Sequence, residues 1–160
     1  MLLAAALMMP LTACRGDDDD DDGGGDADDA KTTEQVWTDE KTGLTWPLSA
    51  STDAMNWPDA GAFCADLTYG GTDDWRLPTI SELRTLIRGC EATQTGGSCG
   101  VTDECVDFGT CFDEICLCEG ALSPNYTCYE AGEFDDPCRW YWSSTEAVDM
   151  VVYVWVVEFT

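Results

Sequence analysis

Ten cysteines in a chain of 160 residues constrain the fold more than any other feature of the sequence. Eight of them lie between Cys90 and Cys138, an interval that contains no lysine or arginine. So many cysteines are unusual in a cytosolic protein and usual in an exported domain that is held together by disulfides. The sequence therefore predicts an oxidising compartment and a disulfide-rich insert over residues 90–138.

The amino-terminal residues indicate the same compartment. An apolar run from Leu2 to Leu11 ends in Leu11-Thr12-Ala13-Cys14, which resembles the lipobox of a bacterial lipoprotein, where the signal is cut before the cysteine and the thiol carries the lipid. No lysine or arginine precedes Cys14, although a secretory signal usually starts with one, so an apolar terminus of a cytosolic protein is the alternative. We interpret residues 1–14 as a lipoprotein signal with Cys14 as the lipidation site.

This interpretation places the protein in the bacterial cell envelope, at the outer membrane or the cell surface. The apolar run is too short to cross a bilayer as a helix, so we expect the protein to be attached to the membrane by its lipid anchor only. Residues 15–34 follow with nine aspartates and few apolar side chains. Because such a composition cannot bury a core, we predict an acidic disordered tether there.

The charge of the chain excludes several classes of ligand. The formal net charge is −25, and residues 31–160 contribute −17 of it from six basic and 23 acidic side chains. A surface of this kind repels nucleic acid, anionic lipid and sulfated polysaccharide. We therefore expect no nucleic-acid partner.

The sequence contains no histidine. Histidine is the commonest general base, the usual partner of serine and cysteine nucleophiles, and the commonest metal ligand. Its absence removes these arrangements, and we predict no catalytic residue, no cofactor and no metal.

The folded part opens with a hairpin and a helix. Residues 35–38 and 44–46 flank a turn-forming stretch, which is typical of two short antiparallel strands. Asn56 can cap a helix, and Pro58 and Asp59 suit its first turn. The apolar positions that then fall on one helix face are Ala60, Phe63, Cys64 and Leu67.

A second helix has a clearer beginning. Thr79 and Glu82 stand three residues apart, the spacing of a capping box. Its predicted buried stripe consists of Ile80, Leu83, Leu86 and Ile87. Arg84 and Arg88 lie one turn apart on the other side of this helix. Residues 150–157 form an uninterrupted apolar run rich in valine, which predicts a strand buried on both faces, so the whole pattern indicates an α+β domain.

These pieces, in this order, resemble the Lcl C-terminal domain family, named after the Legionella collagen-like adhesin. The most specific strings are Asp74-Trp75-Arg76-Leu77-Pro78-Thr79 and Tyr141-Trp142-Ser143-Ser144-Thr145. The further matching segments are Thr42-Gly43-Leu44-Thr45-Trp46, Asn56-Trp57 leading to Phe63-Cys64, Glu82-Leu83, and Trp155-Val156-Val157-Glu158-Phe159. Together they place the family domain at residues 35–160, interrupted by the cysteine-rich insert.

The resemblance implies a mixed fold like that of C-type lectins or of formylglycine-generating enzymes, with two helices and a small twisted sheet. Family members usually continue past the last strand into another strand that closes the sheet, so for this chain we expect either an incomplete sheet or a sequence truncated after Thr160. The adhesin is linked to sulfated glycosaminoglycans, which require basic patches, and the net charge of this chain disfavours such a ligand.

The resemblance also implies binding or adhesion at the cell surface more than catalysis, with a glycan or protein as the ligand, so we predict that the protein is not an enzyme. Trp75, Arg76, Trp140 and Trp142 are candidate contacts because tryptophan and arginine are frequent in binding sites, although each can also serve the core. One alternative is an enzyme of the formylglycine-generating type, which would need a reactive cysteine. The other is a passive structural protein of the envelope.

Cysteine spacing suggests a pairing scheme within the insert. Cys99, Cys105, Cys111, Cys116, Cys118 and Cys128 are spaced like the cysteines of an EGF-like module. That likeness implies pairs Cys99–Cys111, Cys105–Cys116 and Cys118–Cys128. A pair between Cys90 and Cys138 would close the neck of the insert. Without Cys14 the cysteine count is odd, and we expect Cys64, on an apolar helix face, to remain a free thiol.

Lipidation of Cys14 can be tested directly. In a bacterial host fed a fatty-acid analogue, the wild-type chain should be labelled and the Cys14→Ser variant should not, because serine lacks the thiol that carries the lipid. Equal labelling of the two chains would contradict the lipoprotein interpretation.

Overall fold

The computed structural model describes residues 2–6, 36–48, 54–118, 140–150 and 153–159. The strands are β1 (Leu2–Ala6), β2 (Val36–Thr38), β3 (Thr45–Pro47), β4 (Trp140–Glu146) and β5 (Tyr153–Glu158). The helices are α1 (Trp57–Asp66), α2 (Ile80–Arg84) and α3 (Phe108–Cys111), and a 3₁₀ turn covers Glu114–Cys116. The protein is therefore a small α+β domain, as the sequence predicts. No helix in the described part of the chain is both long and apolar enough to cross a membrane.

Two small antiparallel sheets carry the fold. One contains β1, β5 and β4 in that order, and the other is the β2–β3 hairpin. Residues Val154 to Val157 of β5 are each no more than 1% exposed, which confirms the prediction of a strand buried on both faces. The position of β1 was not expected from the sequence: the segment assigned to a signal pairs with β5, from Leu2 opposite Val157 to Ala6 opposite Tyr153.

Both predicted helix starts are confirmed. The Asn56 side chain accepts a hydrogen bond from the backbone N–H of Asp59, and Thr79 and Glu82 form the complete capping box. The predicted stripe of α2 is buried, with Ile80 and Leu83 fully inaccessible. The helix itself is only five residues long and ends at Arg84, so Leu86 and Ile87 enter the core from the turn that follows it.

Arg84 is buried, although it lies outside the predicted apolar stripe of α2. The residue is 4% exposed. Its guanidinium donates to the backbone carbonyls of Thr93 (2.6 Å), Gln94 (3.1 Å), Cys99 (3.2 Å) and Val101. The insert folds over the face of α2 that the helical pattern alone leaves to water, and burial lowers the pKa of Arg84.

The disulfides also differ from the predicted scheme. Cys90 pairs with Cys118, Cys99 with Cys116 and Cys105 with Cys111. The three bridges are nested rather than interleaved, because the chain doubles back on itself beyond α2 instead of forming an EGF-like module. Cys118 occupies the place beside Cys90 that the prediction gave to Cys138, and both Cys128 and Cys138 lie outside the described residues.

Cys64 is not a free thiol. It is fully buried, as its position on α1 predicts, but it is disulfide-bonded, and no described cysteine is free. The helical pattern shows that Cys64 is buried, but it does not show whether the sulfur is free or disulfide-bonded. The prediction of Cys64 as the free thiol is therefore wrong.

The buried guanidinium predicts an asymmetry between two neighbouring arginines. Arg84→Met should lower the free energy of unfolding by about 3 kcal/mol, because four buried carbonyls lose a charged donor. Arg88→Met, at an exposed site on the same segment, should change it by less than about 0.5 kcal/mol. Denaturant unfolding under non-reducing conditions measures both values. Equal effects of the two substitutions would show that Arg84 does not hold the insert.

Candidate ligand-binding cleft

A cleft of about 610 Å³ opens where the β2–β3 hairpin, the segment before α2 and strand β4 meet. The lining residues are Val36, Thr38, Gly43, Leu44, Thr45, Trp46, Pro47, Gly70, Thr72, Asp74, Trp75, Arg76, Leu77, Pro78, Glu82, Leu83, Leu86, Tyr141 and Trp142. Five residues of the first specific family string, Asp74 to Pro78, thus converge with Tyr141 and Trp142 of the second and with the hairpin on one surface. Concave sites lined by aromatic side chains with a few polar groups are the usual form of a small-molecule site.

Four aromatic side chains line the cleft, and they differ in exposure. Trp46, Trp75 and Tyr141 are partly exposed, whereas Trp142 is 1% exposed and its indole N–H donates to the carbonyl of Met55 at 2.9 Å. Trp142 therefore supports the wall, and the other three can present ring faces to a ligand. The indole N–H of Trp46 is buried and has no hydrogen-bond partner among the described residues.

The tight turn at residues 69–72 fixes the orientation of Trp75. Its indole N–H donates to the carbonyls of Tyr69 (3.1 Å) and Thr72 (3.2 Å), and the rings of Tyr69 and Trp75 meet edge to face with centroids 6.2 Å apart. Gly70 has φ +61°, and a Cβ at this position would lie 2.5 Å from Val36 Cγ1. Only glycine allows both this backbone conformation and so close an approach to the hairpin.

Asp39 organises the hairpin that supplies the opposite wall. Its carboxylate accepts from the backbone N–H of Lys41 (3.0 Å) and the hydroxyl of Thr42 (2.9 Å), and its carbonyl accepts from Gly43 N–H. The bond from Lys41, followed by the one from Thr42, lowers the pKa of Asp39 despite its burial. The turn therefore places β3, and with it Trp46, against the cleft.

Arg76 is the cation of the cleft, and it is already paired. Its guanidinium meets the Glu82 carboxylate with two parallel bonds of 2.7 and 2.6 Å. The same carboxylate accepts from the backbone N–H of Thr79 at 2.8 Å to complete the capping box. The pair with Arg76 is the largest cause of the lowered pKa of Glu82. Because bidentate pairing uses the guanidinium edge that would grip an anion, Arg76 is a poor anchor for sulfate or carboxylate.

The cysteine-rich insert helps to hold the cleft from behind. Asp103 of the insert accepts from the hydroxyl of Thr79 (2.8 Å), the backbone N–H of Ser81 (3.2 Å) and the hydroxyl of Thr145 (3.4 Å). One carboxylate thereby links the insert, the start of α2 and strand β4. The insert is a brace for the cleft, and none of its residues from 90 to 118, the part that the structure describes, lines it.

The structure brings three of the four predicted contact residues together. Trp75, Arg76 and Trp142 line the cleft, and Trp140 does not, since it packs against the cluster around α1 instead. Trp46 was not singled out as a contact, although it ends the Thr42–Trp46 string. In the described part of the chain, no group of three or more cysteine, aspartate or glutamate side chains is placed to hold a metal ion.

Comparison with known proteins gives one match. The family model described as the Lcl C-terminal domain matches residues 35–160. No curated protein and no solved structure matches the chain. The matched range contains the hairpin, both capped helices, β4 and β5, and therefore every residue of the cleft.

The Glu82 pair predicts a pH-dependent contribution to stability. The pKa of Glu82 in the folded state lies below its ordinary value of 4.5. The contribution of the ionised carboxylate to the free energy of unfolding is therefore complete above pH 4.5 and is lost as the pH falls through the folded-state pKa. Glu82→Gln should cost about 1 kcal/mol of unfolding free energy near pH 7, since Arg76 is largely solvent-exposed, and the cost should shrink near pH 3. Denaturant unfolding at the two pH values tests this, with the exposed Glu91→Gln as the control. A cost that is the same at both pH values would contradict it.

Proposed function

We propose that this chain, which belongs to the Lcl C-terminal domain family, is a lipid-anchored binding protein of the bacterial cell envelope whose cleft takes a neutral oligosaccharide. In this proposal Cys14 carries the anchor and residues 15–34 act as the tether. The domain itself is of the C-type-lectin-like type that the family resemblance implies. The ligand class goes beyond the adhesin-related assignment of the family.

The aromatic lining of the cleft is the observation that carries the proposal. Trp46, Trp75 and Tyr141 are partly exposed aromatic side chains on three different segments, and the two bonds of its indole N–H to backbone carbonyls hold Trp75 in place. Sugar rings present an apolar C–H face and a polar rim, which complements such side chains. A rigid aromatic surface also loses little conformational entropy when a ligand binds.

Charge selects among saccharides. Residues 31–160 carry a net charge of −17, Arg76 is paired with Glu82, and Arg84 is buried. The three arginines near α2 therefore do not form an exposed basic patch. A sulfated polymer would meet repulsion, and the one guanidinium of the described cleft lining is already paired, so a neutral ligand suits this cleft better than heparin-like chains.

A binding role also suits the sulfur chemistry better than catalysis does. Cysteine catalysis requires an accessible thiol, and the described cysteines are disulfide-bonded. Cys64, the cysteine that the sequence predicts to be a free thiol, is bonded and fully buried. A passive envelope protein would need no cleft with oriented tryptophans, and ligand binding separates that alternative from this proposal.

Replacement of a cleft tryptophan should weaken saccharide binding. A panel of neutral cello- and chito-oligosaccharides identifies the best ligand, and calorimetry then measures its affinity. Trp46→Ala should reduce that affinity by about tenfold, because an aromatic contact of this kind contributes on the order of 1.4 kcal/mol. Trp140→Ala, which removes a tryptophan outside the cleft, should leave it within about twofold. Equal losses in the two variants would place the ligand elsewhere.

Heparin provides the complementary test. The wild-type protein should pass through a heparin column at physiological salt, because screening over about 8 Å leaves close repulsion intact. If the wild-type protein is retained and an Arg76→Gln variant is not, the Arg76–Glu82 pair opens to bind anions. The net negative charge of the domain would then not exclude sulfated ligands.

A further inference from the structure

Three charged side chains stand on the described lining of the cleft, and two of them neutralise each other. Arg76 and Glu82 form the bidentate pair. The third is Asp74, which is exposed and forms no ion pair with any described residue. The Asp74 carboxylate is therefore a charge of the lining that no neighbouring cation compensates.

The two oxygens of the Asp74 carboxylate differ in their surroundings. Oδ1 accepts a hydrogen bond from the hydroxyl of Thr72 at 2.5 Å. Oδ2 accepts none from the described residues. Because an ionised carboxylate offers about four acceptor positions, most of its capacity is unused by the protein. The bond to Thr72 holds the group in one orientation, and Oδ2 is left for another donor.

Thr72 orients an aromatic ring of the same wall as well. Its carbonyl accepts from the indole N–H of Trp75 at 3.2 Å and from the backbone N–H of Tyr69 at 3.0 Å. Its own backbone N–H donates to the carbonyl of Tyr69 at 3.1 Å. One residue thus fixes a ring and a carboxylate that both line the cleft, and groups held in this way lose little conformational entropy when a ligand binds.

A neutral saccharide supplies the donors that this carboxylate lacks. Each ring hydroxyl can donate one hydrogen bond, and a bond to an ionised acceptor is roughly twice as strong as one between neutral groups. A site that is built to bond a ligand hydroxyl discriminates strongly against the analogue without it. A carboxylate or sulfate of the ligand at the same place would meet a like charge instead.

We propose that Asp74 determines the specificity of the cleft, because its Oδ2 accepts a hydrogen bond from a ring hydroxyl of the bound saccharide. This inference rests on the proposed function and deepens it by naming the ligand feature that is recognised. The ligand is a neutral saccharide in which that hydroxyl is unsubstituted. Thr72 is a positioning residue, since it acts through the Asp74 carboxylate.

Two neighbouring aspartates provide a matched pair of variants. Asp74→Asn retains an oxygen for the Thr72 hydroxyl and places an NH₂ group, a donor, where Oδ2 accepts. Asp73→Asn removes the same charge from an exposed residue that is not part of the described lining. In calorimetry, Asp74→Asn should lower the affinity for the saccharide by about tenfold. Asp73→Asn should change it by less than about twofold.

Variants of Thr72 test how the carboxylate is held. Thr72→Val removes the hydroxyl that bonds Oδ1 and keeps the size of the side chain, so the affinity should fall by about threefold. Thr72→Ser retains a hydroxyl and should bind like the wild-type protein. A loss in Thr72→Ser as large as that in Thr72→Val would overturn the positioning role.

Monodeoxy ligands separate recognition from a structural role of Asp74. The probe is the methyl glycoside of cellobiose or of di-N-acetylchitobiose, whichever series binds better, together with its monodeoxy analogues. One analogue should bind the wild-type protein and Asp73→Asn about tenfold more weakly than the parent compound does. The same analogue should bind Asp74→Asn within about twofold of the parent, because the missing hydroxyl and the missing acceptor belong to one bond.

Three results would overturn the inference. The first is an equal loss of affinity in Asp74→Asn and Asp73→Asn, which would leave net charge as the cause. The second is a series in which Asp74→Asn weakens all analogues alike and shifts the ligand-free indole signal of Trp75, which would assign Asp74 to the turn. The third is a loss confined to deacetylated chitobiose, which would make the carboxylate a counter-ion for an amine.

Failure of this inference is distinguishable from failure of the proposed function. Binding that depends on Trp46 and not on Asp74 would overturn the hydroxyl-acceptor role alone. Absence of binding by every neutral oligosaccharide of the panel would overturn the proposed function and this inference together.

Discussion

The buried guanidinium of Arg84 is the interaction on which the rest of the structure depends. A charge in the interior is stable only when its hydrogen-bonding capacity is satisfied, and here four backbone carbonyls of the insert satisfy it. The insert is thereby fixed to the end of α2, and the nested disulfides keep it folded there. Once fixed, it places Asp103 at the beginning of the same short helix.

This arrangement explains why a helix of only five residues can organise one wall of the cleft. Isolated helices of this length are not stable, so α2 depends on its capping box, its buried stripe and the brace behind it. Glu82 serves both as a cap and as the partner of Arg76. The pairing neutralises the one cation of the described cleft lining, so in the proposed function the aromatic rings provide the affinity.

The parts of the fold that local chemistry determines could be predicted from the sequence. The caps at Asn56 and Thr79 and the apolar run of β5 depend on residues close together in the chain. The disulfide pairs and the burial of Arg84 could not be predicted, because both depend on where the insert folds back, and cysteine spacing leaves many pairings open. Among the cleft residues, Trp75 and Arg76 could be predicted from the Asp74–Thr79 string. Trp46 could not, because only the folded hairpin brings it next to them.

Indole resonances of the tryptophans test most directly whether the aromatic cleft is the ligand site. Each indole N–H of the ¹⁵N-labelled protein gives its own signal, and titration with a neutral oligosaccharide shows which ones move. The account predicts that the signals of Trp46 and Trp75 shift with saturation, while those of Trp140 and Trp57 stay in place. Shifts confined to Trp140 or Trp57, or shifts of Trp75 with heparin and not with the neutral ligand, would contradict it.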